Sequence, residues 1–198
     1  MIHIIEPCCY EKQFAELITH IEGKSNVAHF FSNSDWDLNQ LLPFLVNRTP
    51  GGEVTLCLVN VEQDVLDTVR KLLMRVIPDP KTRKAMDLIS HLSLVTRGDN
   101  RKEVLDYLKG FGKRLTVSEG RIGFRCLTCA NEEHQFVVQG SINQKVHSDA
   151  QMFTLTTGKV LYEEAYGLLK SIAKVGALDD WEEGYTRILA QQRLSKGE

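Results

Sequence analysis

Val54-Thr55-Leu56-Cys57-Leu58-Val59 is an apolar run of strand length that opens directly after the turn Thr49-Pro50-Gly51-Gly52. Apolarity that does not alternate predicts burial on both faces, the condition of a strand inside a parallel sheet. A helix follows over 63–77, with Val65, Val69, Leu72 and Val76 on its apolar stripe, until Pro78 and Pro80 stop it. After a basic, partly helical stretch comes another strand, over 91–96. Strand, crossover helix and strand make the right-handed parallel unit.

Upstream, residues 2–5 read as a strand and 11–22 as a helix with Phe14, Leu17, Ile18 and Ile21 on one side. A second strand, over 27–32, ends in Ser32-Asn33-Ser34-Asp35. The polar residues through Asp37 suit the cap of a helix over 37–47, whose apolar side is Leu38, Leu41, Leu42 and Leu45. Pro43 predicts a kink there or a later start. Downstream, a helix over 101–111 carries Val104, Leu108 and Phe111 inward. From Arg114 the period falls to two, and 115–117, 122–129, 135–140 and 152–156 read as strands. Ser118-Glu119-Gly120 and Asn131-Glu132-Glu133 suit hairpin turns. A helix over 159–175 buries Leu161, Ala165, Leu168, Ile172 and Val175, and a helical tail over 178–198 carries Trp181, Tyr185, Ile188 and Leu189. The order predicts one α/β domain over 1–198, with a mixed, mainly parallel sheet and helices on both faces.

Composition narrows the function classes. A chain of 198 residues buries roughly 70% of its unfolded surface. With 42% hydrophobic and 25% charged residues it is too apolar for a disordered protein. No apolar run reaches the ~18 residues of a membrane span. The start, Met1-Ile2-His3-Ile4-Ile5-Glu6-Pro7, has neither a basic n-region nor a long apolar core, and five cysteines without a leader suit free thiols in a reducing compartment, so a cytoplasmic protein is expected. The 24 basic and 26 acidic side chains give a net charge of −2, so no whole-molecule field attracts polyanions. The distribution is less even. Arg70, Lys71, Arg75, Lys81, Arg83 and Lys84 stand against Asp79 alone, and Arg97, Arg101, Lys102, Lys109, Lys113 and Arg114 outnumber Asp99, Glu103 and Asp106.

The segment richest in chemistry is Gln135-Phe136-Val137-Val138-Gln139-Gly140-Ser141-Ile142-Asn143-Gln144, an apolar strand running into Gly-Ser-x-Asn. Gly140 lets a backbone approach a ligand closely, and Ser141 and Asn143 offer a hydroxyl and an amide to phosphate oxygens. The same pattern also suits an ordinary turn. Cys126-Leu127-Thr128-Cys129 has the spacing of half a zinc knuckle. On a strand, however, residues three apart point to opposite faces, which suits buried thiols better than a metal. No metal site and no cofactor is expected. His29 and His91 fall in strands and read as satisfied structural residues. Asp35 and Asp37 read as capping carboxylates.

Over 27–175 the order of elements, with the hairpin leading into Gly140-Ser141-Ile142-Asn143, resembles one half of the phospholipase D-like superfamily, which includes nucleases and phosphatidyl transferases. In active members a strand before the hairpin carries His-x-Lys, followed by an Asp, and Gly-Ser-x-Asn lies on the next strand. One half supplies a nucleophilic His, the other a general-acid His, and lysines and asparagines hold the phosphate. This chain matches the second motif at Gly140, Ser141 and Asn143 and departs from the first. One register places Cys126, Leu127 and Thr128 at His-x-Lys, with Glu133 at the Asp. Another places Gly123, Phe124 and Arg125 there, with Arg125 in the lysine role. Gln151 stands where a carboxylate would orient a catalytic His.

The resemblance implies a phospholipase D-like half-domain that is non-catalytic or impaired and binds phosphodiesters, DNA or RNA, as a homodimer of two half-sites. Arg125, Gly140, Ser141 and Asn143 would bind phosphate, with Thr128, Glu133 and Gln151 lining the site. An alternative is an active phosphodiesterase in which Cys126, His134 or His147 replaces the missing histidine. A third reading is an interaction module with a vestigial site, binding a protein partner through the acidic, Trp181-containing tail.

Overall fold

The computed structural model of the chain describes residues 2–5, 16, 26–32, 37–120, 122–140 and 151–176. In chain order the elements are β1 (Ile2–Ile5), β2 (Asn26–Ser32), α1 (Leu38–Arg48), β3 (Gly52–Leu58), α2 (Gln63–Met74), β4 (Val76–Pro78), β5 (Ala85–Asp87), β6 (Ile89–Thr96) and α3 (Gly98–Tyr107). A 3-10 turn (Gly112–Arg114) leads into β7 (Leu115–Glu119), β8 (Cys126–Ala130), β9 (Gln135–Gly140), β10 (Gln151–Thr157) and α4 (Lys159–Gly176). The helix read over 11–22 lies outside the described residues apart from Glu16, and so does the tail over 178–198.

Eight strands form one sheet in the order β1-β2-β10-β9-β8-β3-β6-β7. β1 with β2, β3 with β6 and β6 with β7 are parallel. The other four pairings are antiparallel, because β8 and β10 run against the remaining six strands. The sheet is therefore mixed and mostly antiparallel in its pairings, not mainly parallel as the crossovers suggested. The error lies in β8 and β10: each is wedged between strands of the other direction, and so converts two pairings.

Side chains alternate across this sheet as the pleat requires. On one face Val54, Leu56 and Leu58 of β3 meet Leu92 and Leu94 of β6, Leu127 of β8 and Phe136 and Val138 of β9, under α1, α2 and α3. On the other, Cys57, Val95, Cys126 and Val137 pack against Leu169 of α4. Helices thus cover both faces. Leu41, Leu45, Leu56 and Leu73 lose all exposure, each burial contributing about 1.5–3 kcal/mol.

Capping holds α1 in place. Asp37 accepts from the backbone of Asn39 at 2.8 Å and Gln40 at 3.2 Å, and the Gln40 side chain accepts from the Asp37 backbone at 2.8 Å. This reciprocal box starts the helix at Leu38, so Pro43 sits inside it and does not delay its start.

Three local readings are corrected. α2 ends at Met74, and β-branched Val76 and Ile77 enter the β4–β5 ribbon, whose turn is held by Asp79 accepting from the backbones of Lys81 and Thr82. Ser118-Glu119-Gly120 is no hairpin: β7 pairs with β6 at the sheet edge, while β8 lies between β3 and β9. On α4, Ala165 and Ile172 pack inward as the stripe predicts, but Leu169, at 2% exposure, takes the place of Leu168, at 56%.

Candidate functional site

The parallel strands define two ends of the sheet. At the end where β3, β6 and β9 finish, β8 begins, so Arg125 lies beside Gly140, whose N–H donates to the Arg125 carbonyl at 3.4 Å. Ligand crevices in α/β sheets open at such carboxyl ends. Gln151, the first residue of β10, pairs with Ser32 at this same end. Ser141, Asn143 and His147 lie outside the described residues.

Gly140 has a structural reason to be glycine. Its φ is +137°, and a β-carbon there would stand 2.5 Å from the Met152 carbonyl oxygen and 2.8 Å from the Phe153 α-carbon. Close approach of β10, the neighbouring strand, requires the missing side chain without any ligand.

The remaining site residues are strung along the hairpin instead of gathered. Cys126 pairs with Gln139, and Thr128 pairs with Val137 in mid-strand. Glu133 and His134 form the turn at the far end, where both backbone N–H groups donate to the Asn131 side chain at 3.0 and 2.8 Å. β9 alone, from Gln135 to Gly140, covers five steps of about 3.3 Å, roughly 17 Å, and Glu133 lies beyond its start. Hence Arg125 and Gly140 are brought together, and Glu133 and His134 are placed away from them. Cys126 is 2% exposed, and burial pushes its thiol up to about 12, so it is protonated at neutral pH. Cys129 is fully buried on the opposite face, which separates the two thiols of the Cys-x-x-Cys. Among the described residues no group of three or more His, Cys, Asp and Glu could hold a metal ion. His29 bonds Thr154 at 3.0 Å, and His91 bonds the Lys113 carbonyl and Thr116 at 3.2 and 3.1 Å.

Parts of the two basic clusters adjoin, while Arg97, Arg101 and Lys102, at the start of α3 after β6, lie at the Gly140 end of the sheet. α2 runs back from the end of β3 towards the start of β6, which carries Arg70, Lys71 and Arg75 to the end of the sheet opposite Gly140. α3 returns in the same direction and delivers Lys109, Lys113 and Arg114 there before β7. The Arg70 guanidinium lies 5.4 Å from the Tyr107 ring centre, joining α2 to α3. Tyr107 also donates its hydroxyl to Asp67, whose carboxyl is held below the usual range mainly by that bond. Arg114 donates to the carbonyls of Leu73 at 2.9 Å and Ile89 at 2.8 Å and pairs with Asp87 at 3.0 Å. Arg114 is therefore a structural clamp; Arg70, Lys71, Arg75, Lys109 and Lys113 are exposed at this end, and Arg83 and Lys84 are exposed in the turn of the β4–β5 ribbon.

At this same end a cleft of about 660 Å³ opens between the β4–β5 ribbon, the β8–β9 turn and α4. Glu53, Asp79, Glu132 and Glu133 line it against Lys81 alone, and Lys81 pairs with Glu132 at 2.8 Å. The cleft is acidic and does not suit phosphate. Tyr162, in its wall, stacks on Tyr166 at 5.6 Å, and Tyr166 donates to Glu53 at 3.2 Å. Burial, followed by the Glu53 charge, raises the Tyr162 hydroxyl above its ordinary value. The i, i+4 spacing of these tyrosines was the available sequence signal for this wall. Nothing in the sequence singled out Arg114 as a clamp.

No protein-family model matches the chain, and no curated protein matches it. Among solved structures, a chain of TrmBL2, described as an archaeal chromatin protein whose structure shows a novel mode of DNA binding, is similar at a TM-score of 0.42 and 13% identity. The alignment covers 80% of this chain and 59% of that one. A likeness at this level carries no argument about fold or activity. Among the described residues no helix is long and apolar enough to cross a membrane.

Proposed function

We propose that the chain is a non-catalytic, phospholipase D-like domain that binds a phosphodiester polymer, DNA or RNA. The observation that supports this reading is the junction of the α2 and α3 ends of the two basic clusters through Arg70 on Tyr107 and Arg114 on Leu73. Exposed Lys71, Lys84, Lys109 and Lys113 supply the counterion-releasing contacts on which polyanion affinity rests. Arg125 with the Gly140-Ser141-Ile142-Asn143 segment is proposed to take a single phosphodiester at the other end of the sheet. A second copy of the chain would complete that half-site as a homodimer. No observation favours a variant nucleophile: the Cys126 thiol is buried and His134 lies at the far end of the hairpin from Gly140.

The test is fluorescence anisotropy with labelled single- and double-stranded DNA at low salt. Lys71→Glu, Lys84→Glu, Lys109→Glu and Lys113→Glu combined should abolish binding while leaving the circular dichroism spectrum unchanged. Equal binding by the wild type and this variant contradicts the reading. Phosphodiester cleavage above that of a Ser141→Ala control would instead establish the enzyme.

A further inference from the structure

Cys57 of β3 and Cys126 of β8 are directly opposed residues of an antiparallel pair. Such partners project to one face, and both thiols pack with Val95, Ile122, Val137 and Leu169 beneath α4, at 0% and 2% exposure. The β-carbons of opposed residues stand roughly 4.5–5.5 Å apart, against about 3.5–4.5 Å in a disulfide. Closing the bond therefore asks for about 1 Å of approach. Cys126 is the first residue of β8, and its pairing is the last rung of the β3–β8 ladder, so the movement bends a strand end and not the middle of the sheet. Cys129, three residues on, faces the other core and is paired with Val54, which offers no sulfur.

We propose that Cys57 and Cys126 are a redox-modifiable pair that a peroxide converts into a cross-strand disulfide. One thiolate attacks a peroxide oxygen and becomes a sulfenic acid, and the released hydroxide takes up the proton that the thiol gave to solvent. The second sulfur then attacks the sulfenic sulfur and displaces water. Two thiols thereby give two electrons and two protons to one hydrogen peroxide, leaving one disulfide and two waters. Burial pushes both thiols up to about 12, Cys57 further by the facing Cys126, so thiolate is scarce at neutral pH. The reaction is accordingly slow and gains about tenfold per pH unit. This pair is independent of the proposed polyanion contacts.

The experiment treats the full chain with hydrogen peroxide at pH 7.5 and pH 8.5, blocks remaining thiols with iodoacetamide, and maps tryptic peptides by fragmentation mass spectrometry. The expected result is a Cys57–Cys126 link that forms about tenfold faster at pH 8.5. It persists in Cys129→Ala and is lost in Cys126→Ala. Over-oxidised or alkylated Cys57 and Cys126 without the link, or a Cys57 link that survives in Cys126→Ala, overturns the proposal. Fragment mapping of the wild type decides the matter even if a variant folds poorly.

Discussion

Gly140→Ala separates two reasons for a glycine at the end of β9: room for a ligand, or room for β10. The φ of +137° is a region that L side chains rarely adopt, at a cost of about 1–3 kcal/mol. The added β-carbon would also sit 2.5 Å from the Met152 carbonyl oxygen and 2.8 Å from the Phe153 α-carbon. Both contacts are backbone, so no side chain can rotate away, and the rung Phe153↔Gly140 must open. Overpacking of this kind adds about 1–3 kcal/mol. The sum, about 2–6 kcal/mol, is a large share of the ~5–15 kcal/mol by which domains are stable. Equilibrium urea unfolding followed by far-ultraviolet circular dichroism measures it. Gly123→Ala is the control, since a β-carbon there meets nothing within 4 Å. A loss below ~1 kcal/mol for Gly140→Ala, or a loss equal to that of the control, refutes the strand-approach explanation.

Other perturbations test the clamp, the cap and the buried thiols. Arg114→Met leaves the carbonyls of Leu73 and Ile89 and the Asp87 carboxylate without their donor, and should destabilise by about 2–4 kcal/mol in urea unfolding; an unchanged midpoint denies the clamp. Asp37→Ala should lose about 1 kcal/mol, whereas Asp37→Asn should stay near wild type, because asparagine caps as well and burial already raises the Asp37 carboxyl. Equal losses for the two substitutions would contradict the capping role. The Cys57 and Cys126 thiols are raised in the folded chain from 9.0 to about 12, and burial raises Cys129 too. The fold therefore holds protons that the unfolded chain releases above pH 9. Stability is whole below that pH and declines as pH rises towards 12, by up to about 1.4 kcal/mol per pH unit per thiol. Cys57→Ala should flatten that decline by one such step between pH 9 and 10.5; an identical slope counts against the buried thiol.

The layers were legible because burial leaves a periodic trace. Val54 to Leu58 lack alternation since helices lie over both faces, and the stripe Val65, Val69 and Leu72 reports one buried side of α2. Strand direction leaves no such trace. β8 reads the same whether it follows β7 in a hairpin or crosses the sheet to join β3, so the mainly parallel expectation failed at that strand. Leu168 stands for Leu169 in the α4 stripe because the two are adjacent and equally apolar, and only packing against Cys126 and Val137 chooses between them. At the candidate site, Arg125 lies beside Gly140 because a hairpin brings its two ends into contact. The sequence reading, with Asn131-Glu132-Glu133 as the turn and 135–140 as the strand, already sets Glu133 a strand length from Gly140, against the motif register that puts it at the site. The sequence could not show that parts of the basic clusters adjoin, which depends on α2 and α3 both returning to the same end of the sheet.

The most direct test of polyanion binding is its salt dependence. Anisotropy titrations with a short labelled DNA duplex between 50 and 200 mM salt, on the order used to resolve counterion release, give the slope of log K against log salt, about −0.9 for each phosphate contact. Four lysine contacts predict a slope of about −3.6 for the wild type. Each single reversal at Lys71, Lys84, Lys109 or Lys113 should make the slope shallower by about 0.9. A wild-type slope near zero, or slopes that ignore these reversals, would contradict binding of a phosphodiester polymer at the joined basic clusters.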